Sequence, residues 1–244
     1  MWRETRYGVE LAALRRSHVF RGHGVPSGDE RPVMLIPGFL AGDGSLATMT
    51  GWLRANGYHT RRAGIRANVA CSEVACKRLE TRLEAFAEHT GERVSLIGQS
   101  RGGIFARALA VKRPELVAGV VTLGSPVVSQ LRVHPLVLAQ VGLVSALGTA
   151  HVPGMFRWSC LRGDCCKHFR EAMTGAFPAE IPYIALYSKS DGIVDWRSCL
   201  DPHAEQVEVY ASHCGMSVNA SVYREVAFAL GAFGAGAEAW PEAA

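Results

Sequence analysis

The sequence predicts an α/β protein, a mostly parallel sheet of about six strands with helices on both faces and a small cap insertion. Three observations lead there. Short, wholly apolar runs recur, each ended by a turn residue, as strands buried in a parallel sheet require. Helical stretches fill most of the gaps between them. The alternation breaks once, over residues 127–182, where no clean strand–helix rhythm can be followed.

Val33-Met34-Leu35-Ile36-Pro37 reads as the first buried strand, ended by Pro-Gly. Leu46 to Ala55 follows as a helix stopped by Gly57. Tyr58 to Arg62 is a weaker strand. Ser72 is placed to cap a long helix running to about His89, with Val74, Leu79, Leu83 and Phe86 on one face and Gly91 at its end. Arg93 to Ile97 is a strand, and Ile104 to Lys112 is the helix behind it, stopped before Pro114. Val117 to Leu123 is another buried strand. Beyond the break, Tyr183 to Tyr187 and Val207 to Tyr210 are strands, and Val218 to Leu230 is the last helix. The stretch from Gly231 to Ala244 is rich in Gly and Ala and reads as loose. Residues 1–234 therefore form one domain carrying a cap-like insertion at about 127–182, and residues 235–244 form a flexible C-terminal tail.

Composition narrows the function classes. With 48% hydrophobic residues the 244-residue chain can fill one sizeable core, and a charged share of 20% argues against wholesale disorder. The net charge is +4, but the arginines are scattered. Arg15-Arg16 and Arg61-Arg62 read as solvated surface pairs, so no nucleic-acid partner is expected. Met1 to Arg6 mixes charges and leads into no apolar signal core. The longest apolar stretch, Leu136 to Ala150, is too short to span a bilayer and carries Gln140, Gly142 and Gly148. The expectation is a cytoplasmic protein with no transmembrane segment. Most of the seven cysteines should then be thiols. Cys71 and Cys76 read as small core residues on a helix. Cys160, Cys165, Cys166 and His168 are tightly grouped, but C-x4-C-C-x-H matches no usual zinc spacing, and adjacent cysteines rarely both reach one tetrahedral ion. Structural thiols or a local disulfide are expected there, with no metal and no cofactor. Cys199 and Cys214 follow two neighbouring strands, and sequence does not decide whether they meet.

The chemistry starts at Gly98-Gln99-Ser100-Arg101-Gly102. This G-x-S-x-G lies between a strand and a helix, so the serine is expected on a strained, exposed turn, with helix-start amides behind it. A serine hydroxyl needs a base, and the base needs an orienting acid. His213 follows the last strand and is the expected base. His203, its nearest rival, precedes that strand. The acid should follow the preceding strand, where Asp191 sits in a small polar turn. Asp195 reads as a helix cap or surface residue, and Asp201 as a weaker third candidate. Two backbone amides should bind the oxyanion: that of Arg101, just after the nucleophile, and that of Phe39 in Pro37-Gly38-Phe39.

Taken together, these residues resemble an α/β-hydrolase, close to the small lipase and esterase branch, over about Val33 to Leu230. The order Ser100, Asp191, His213 is the family's order. Gly38-Phe39 resembles its His-Gly-x oxyanion turn, with proline in place of the histidine. Gln99 stands where an aromatic or histidine is usual, and Arg101 where Met or Leu is usual, which places a cation near the site unless it is tied down. The resemblance implies an α/β-hydrolase fold and a serine hydrolase that cleaves carboxylic esters through an acyl-enzyme. Leu136, Val137, Leu138, Val141, Leu143, Val144, Phe156 and Trp158 of the insertion are candidates to line an acyl pocket, most of them doubling as cap core. The expected partner is a small hydrophobic ester or lipid-like substrate. Acyl transfer and thioester hydrolysis use the same triad and stay open, as does a non-catalytic binding protein on the same fold. Hydrolases with an aspartate nucleophile do not fit Ser100.

Overall fold

The computed structural model describes residues 2–235. Its sheet has six strands, β1 (Pro32–Ile36), β2 (His59–Arg62), β3 (Val94–Gln99), β4 (Val117–Leu123), β5 (Tyr183–Tyr187) and β6 (Glu205–Glu208). They pair in the order β2-β1-β3-β4-β5-β6, and every neighbouring pair is parallel. The chain steps outward from β1 to β2, then returns to β3 on β1's other side. That reversal opens a crevice beyond the carboxyl ends of β1 and β3, the place where open parallel sheets bind ligands.

Side-chain alternation divides the core into two layers. Met34, Ile36 and Leu96 face one side and pack against α3 (Ser72–Thr90), α4 (Arg101–Lys112) and α7 (Lys167–Thr174). Val33, Leu35 and Ile97 face the other and pack with α2 (Ala47–Ala55) and α8 (Ala220–Ala235). Leu14 of α1 (Tyr7–Arg16), a helix not foreseen from the sequence, joins this second layer.

Four local readings change. The last strand ends at Glu208 rather than Tyr210, because Val209 stays buried after the ladder stops and prolongs the apolar alternation. Helix α8 continues through Gly231 to Ala235, residues that read as loose. Phe233 packs there into the second layer, and the Arg31 guanidinium donates to the Leu230 carbonyl. Of the expected tail, residues 236–244 lie outside the described residues. Cys71, not Ser72, stands at the N-cap of α3, and Val74 is exposed while Cys76, Leu79, Leu83 and Phe86 make the buried face.

Residues 127–182 hold α5 (Pro135–Thr149), α6 (Trp158–Arg162), a 3-10 turn at Asp164–Cys166 and α7, and no named strand. The segment is moored at several points. Val133 bridges Val194, the His134 amide donates to the Ile193 carbonyl at 2.7 Å, and the Phe156 amide donates to Val69 at 2.8 Å. The buried Arg107 of α4 donates to the Met173 carbonyl at the end of α7. Among the described residues, no helix is long and apolar enough to cross a membrane.

Candidate active site

Ser100 occupies the single residue between β3 and α4, with φ 53° and ψ −122°. A side-chain-bearing residue held there costs on the order of 1–3 kcal/mol, so the surroundings must enforce it. They do. The Ser100 amide donates to the Leu123 carbonyl of β4 at 2.9 Å, and the Gly103 amide donates back to the Ser100 carbonyl at 3.0 Å. The turn is tight enough that a Cβ on Gly98 would overlap the Gly103 backbone, and one on Gly102 would overlap the Ile36 carbonyl. Both motif glycines are thus demanded by close approach.

His213 lies five residues past β6, and its Nδ1 is 2.6 Å from Asp191 Oδ2. The two side chains are 7% and 2% exposed. The other carboxylate oxygen of Asp191 accepts the amides of Ile193 (2.7 Å) and Val194 (2.8 Å), which fixes the acid loop. A carboxylate accepting from Nδ1–H leaves Nε2 as the basic nitrogen. Burial pulls the imidazole pKa down, but the Asp191 charge and hydrogen bond, with the Glu4 charge behind them, outweigh it, and the net shift is upward. Gly124, just past β4, has φ 55°, and a Cβ there would stand 3.2 Å from both Asp191 Oδ2 and His213 Nδ1. Ser100, His213, Gln99, Gly38 and Phe39 line one cavity.

The other candidates go elsewhere. Asp195 caps a 3-10 turn at Trp196–Cys199 by accepting the Arg197 amide. Asp201 is buried in an ion pair with Arg107. His203 is exposed. Arg101 heads α4, and its guanidinium makes three hydrogen bonds. It donates to the carbonyls of Asn68 (2.8 Å) and Ala70 (2.7 Å) and to Ser72 Oγ (3.1 Å), and it lies 5.2 Å from the ring centres of Phe105 and Phe156. Burial draws its pKa down to about 10, against the nearby thiols of Cys71, Cys166 and Cys160. The cation that the sequence placed near the site is tied down to the Asn68–Ser72 segment.

A second cavity adjoins the first at Ser100, with Ile104, Val133, Val137, Val141, Phe156 and Leu161 on its walls beside Ser72, Arg101 and Cys160. Only part of the expected acyl lining is there. Val144 is buried, whereas Leu136, Leu138, Leu143 (61%) and Trp158 (52%) are exposed, so they are neither pocket lining nor cap core. Helix α5 is too thinly covered to bury both of its apolar sides.

Three groups that sequence reading missed brace the site. Glu4 accepts the amides of Gly192 (3.2 Å), His213 (3.1 Å) and Cys214 (2.8 Å). Buried Glu10 accepts the Ser212 amide at 2.8 Å and the Ser212 hydroxyl. Gln99 Nε2 donates to the His213 carbonyl at 3.0 Å. The seven cysteines are all free thiols, and four of them, Cys71, Cys160, Cys165 and Cys166, form a cluster. His168 is not among these; it is exposed, 3.7 Å from Glu73.

No family model matches the sequence, and no curated protein matches it either. Solved structures do match its fold. The mature lipase BlEst2 of Bacillus licheniformis superposes with a TM-score of 0.59 at 16% identity, covering 83% of this chain and 92% of its own. A monoacylglycerol lipase of Paleococcus ferrophilus gives 0.59 at 15%, covering 86% and 97%. A thioesterase domain from the curacin biosynthetic pathway gives 0.50 at 12%, covering 84% and 92%. The shared architecture runs through nearly the whole of each, and the fold expected from the sequence is the one found: this chain has the α/β-hydrolase fold.

Proposed function

We propose that the protein is a serine hydrolase that cleaves carboxylic esters of apolar, lipid-like character, with Ser100 as nucleophile, His213 as base and Asp191 as orienting acid. The observation that carries this reading is the buried 2.6 Å contact from Asp191 to His213, with His213 lining the same cavity as a serine held at φ 53°. His213 Nε2 takes the Ser100 proton as Oγ adds to the acyl carbonyl. Asp191 stabilises the imidazolium without taking its proton. The Phe39 and Arg101 amides receive the oxyanion, each contributing about 10²–10³ in rate. Collapse passes the proton from His213 to the departing alcohol. Water, activated by the same histidine, then releases the acid and restores Ser100. The apolar cavity walled by Ile104, Val137, Val141 and Phe156 suits the acyl chain, and the cavity beside His213 suits the leaving group.

Intact-mass analysis after fluorophosphonate treatment tests the triad. Wild type should gain one probe mass, Ser100→Ala none, and His213→Ala should label far more slowly. A folded wild type that stays unlabelled would sink the hydrolase and favour a binding protein on the same fold. A chain-length series of aryl esters then defines the acyl side. The likeness to a thioesterase domain favours thioesters as a second substrate class, read by comparing acyl thioesters with matched oxygen esters.

A further inference from the structure

Cys71, Cys160, Cys165 and Cys166 come from separate parts of the chain, yet their four Sγ atoms all lie within 4.8 Å of one another. Cys71 stands at the start of α3 in the body, Cys160 on α6, and Cys165 and Cys166 on the 3-10 turn that follows. Cys71 and Cys166 are 3.4 Å apart at sulfur, and Cys165 and Cys166 are 3.7 Å apart. A tetrahedral zinc with Zn–S bonds of about 2.3 Å sets its sulfurs about 3.8 Å apart. Both separations fall slightly below that edge, and the other pairs stay within 4.8 Å. The adjacent pair Cys165-Cys166, which argued against a metal in the sequence, stands in one cluster with Cys71 and Cys160, and His168 stays outside it.

We propose that these four cysteines are a structural zinc site that staples the cap to the N-terminus of α3. The donor set is all sulfur, which selects zinc or iron over the hard cations. It is also closed: four protein ligands leave no position for water or substrate, the mark of a structural rather than a catalytic ion. The surroundings match what tetrathiolate sites need around them. A backbone amide points at one of the sulfurs, that of Arg157 at Cys160 (3.3 Å). Zinc with four thiolates carries a net charge of about −2. The Arg101 guanidinium, whose own bonds go to the segment Asn68–Ser72 leading into Cys71, supplies a neighbouring positive charge. The metal would thus hold together three parts of the molecule that meet beside the apolar cavity, where Ser72, Arg101 and Cys160 all appear in the wall.

Full-length protein purified anaerobically from zinc-supplemented cells should carry about one zinc per chain, measured by elemental analysis. Exchange into cobalt should give thiolate-to-metal charge-transfer bands and the intense visible bands of a tetrahedral tetrathiolate. Cys71→Ser/Cys166→Ser should fall below about one tenth of a zinc per chain, while Cys214→Ser keeps its metal. Chelation should lower the unfolding temperature of wild type and leave that of the double variant unchanged. The wild-type measurements stand even if the double variant does not fold. Three results would overturn the proposal: wild type with no bound metal and no cobalt spectrum, iron in place of zinc, or a Cys71–Cys166 disulfide in non-reducing peptide mapping.

Discussion

The two walls of the crevice are held in opposite ways. On the sheet side, each proposed catalytic group is held by short hydrogen bonds: Ser100 by its turn and its bond to Leu123, Asp191 by two amides of its own loop, His213 by a buried carboxylate. On the cap side there is no named strand, α5 leaves much of its apolar surface exposed, and attachment runs through scattered mooring points such as Phe156 to Val69 and Arg107 to Met173. The difference is a division of labour. Chemistry tolerates little displacement and sits on the rigid wall. Substrate fit tolerates more and falls to the wall with fewer main-chain attachments to the sheet.

Substitutions on each side can break or sharpen that contrast. The largest effect belongs to Ser100→Gly, which should abolish turnover and yet raise stability by about 1 kcal/mol, because glycine accepts φ 53° without strain. Urea unfolding of the variant measures the gain, and an unchanged midpoint would mean the turn holds no strain. Next, Asp191→Asn should lower kcat by about 10⁴-fold by removing the acceptor that sets the histidine tautomer. It should also move the acid limb of kcat/KM. In wild type the raised His213 pKa puts that limb above the usual imidazole value of about 6.5, and activity falls as pH drops through it. The variant's limb should lie lower. The same raised pKa makes the charged pair stabilising below the unfolded value, and this is lost as pH rises through the folded one. A smaller change is expected of Glu4→Gln, which weakens three amide contacts, one of them to the His213 backbone, and removes a charge that helps raise the His213 pKa, while leaving the Ser100, His213 and Asp191 side chains in place. A roughly tenfold fall in kcat, with KM nearly constant, is the expected readout. The smallest is Leu143→Ser on the exposed face of α5, within about 0.5 kcal/mol in stability and silent on a short soluble ester. A large loss on that ester would show the cap to be as exacting as the sheet edge.

What the sequence revealed and concealed follows the same physical line. That Ser100, Asp191 and His213 fall at one edge of the sheet is legible because each follows a strand whose apolar run is a local signal; the catalytic roles read into them remain the proposal made above. Glu4 and Glu10 are not, since an isolated glutamate on a charged amphipathic stretch looks the same whether it meets solvent or an amide some 200 residues away. The thiol cluster was half visible: Cys160, Cys165 and Cys166 sit together in sequence, but Cys71 joins them across a separation of 95 residues. Exposure of Leu136, Leu138 and Leu143 was hidden for a different reason. Apolar composition marks residues that would gain from burial, and only neighbouring elements decide whether burial is on offer.

The reach of Glu4 has a consequence for how this molecule comes into being. Its carboxylate is made long before the amides of Gly192, His213 and Cys214, which lie 188, 209 and 210 residues further on. On the ribosome it must wait, its partners unsynthesised, while the sheet is laid down strand by strand. Closing so long a loop is entropically steep until the intervening structure has brought the ends near. The first turns of the chain are therefore among the last to dock, like a latch drawn after the door has swung shut. An affinity tag or a trimming that disturbs those few residues would reach the far end of the polypeptide, unfastening amides that no reading of the neighbouring sequence would connect to them.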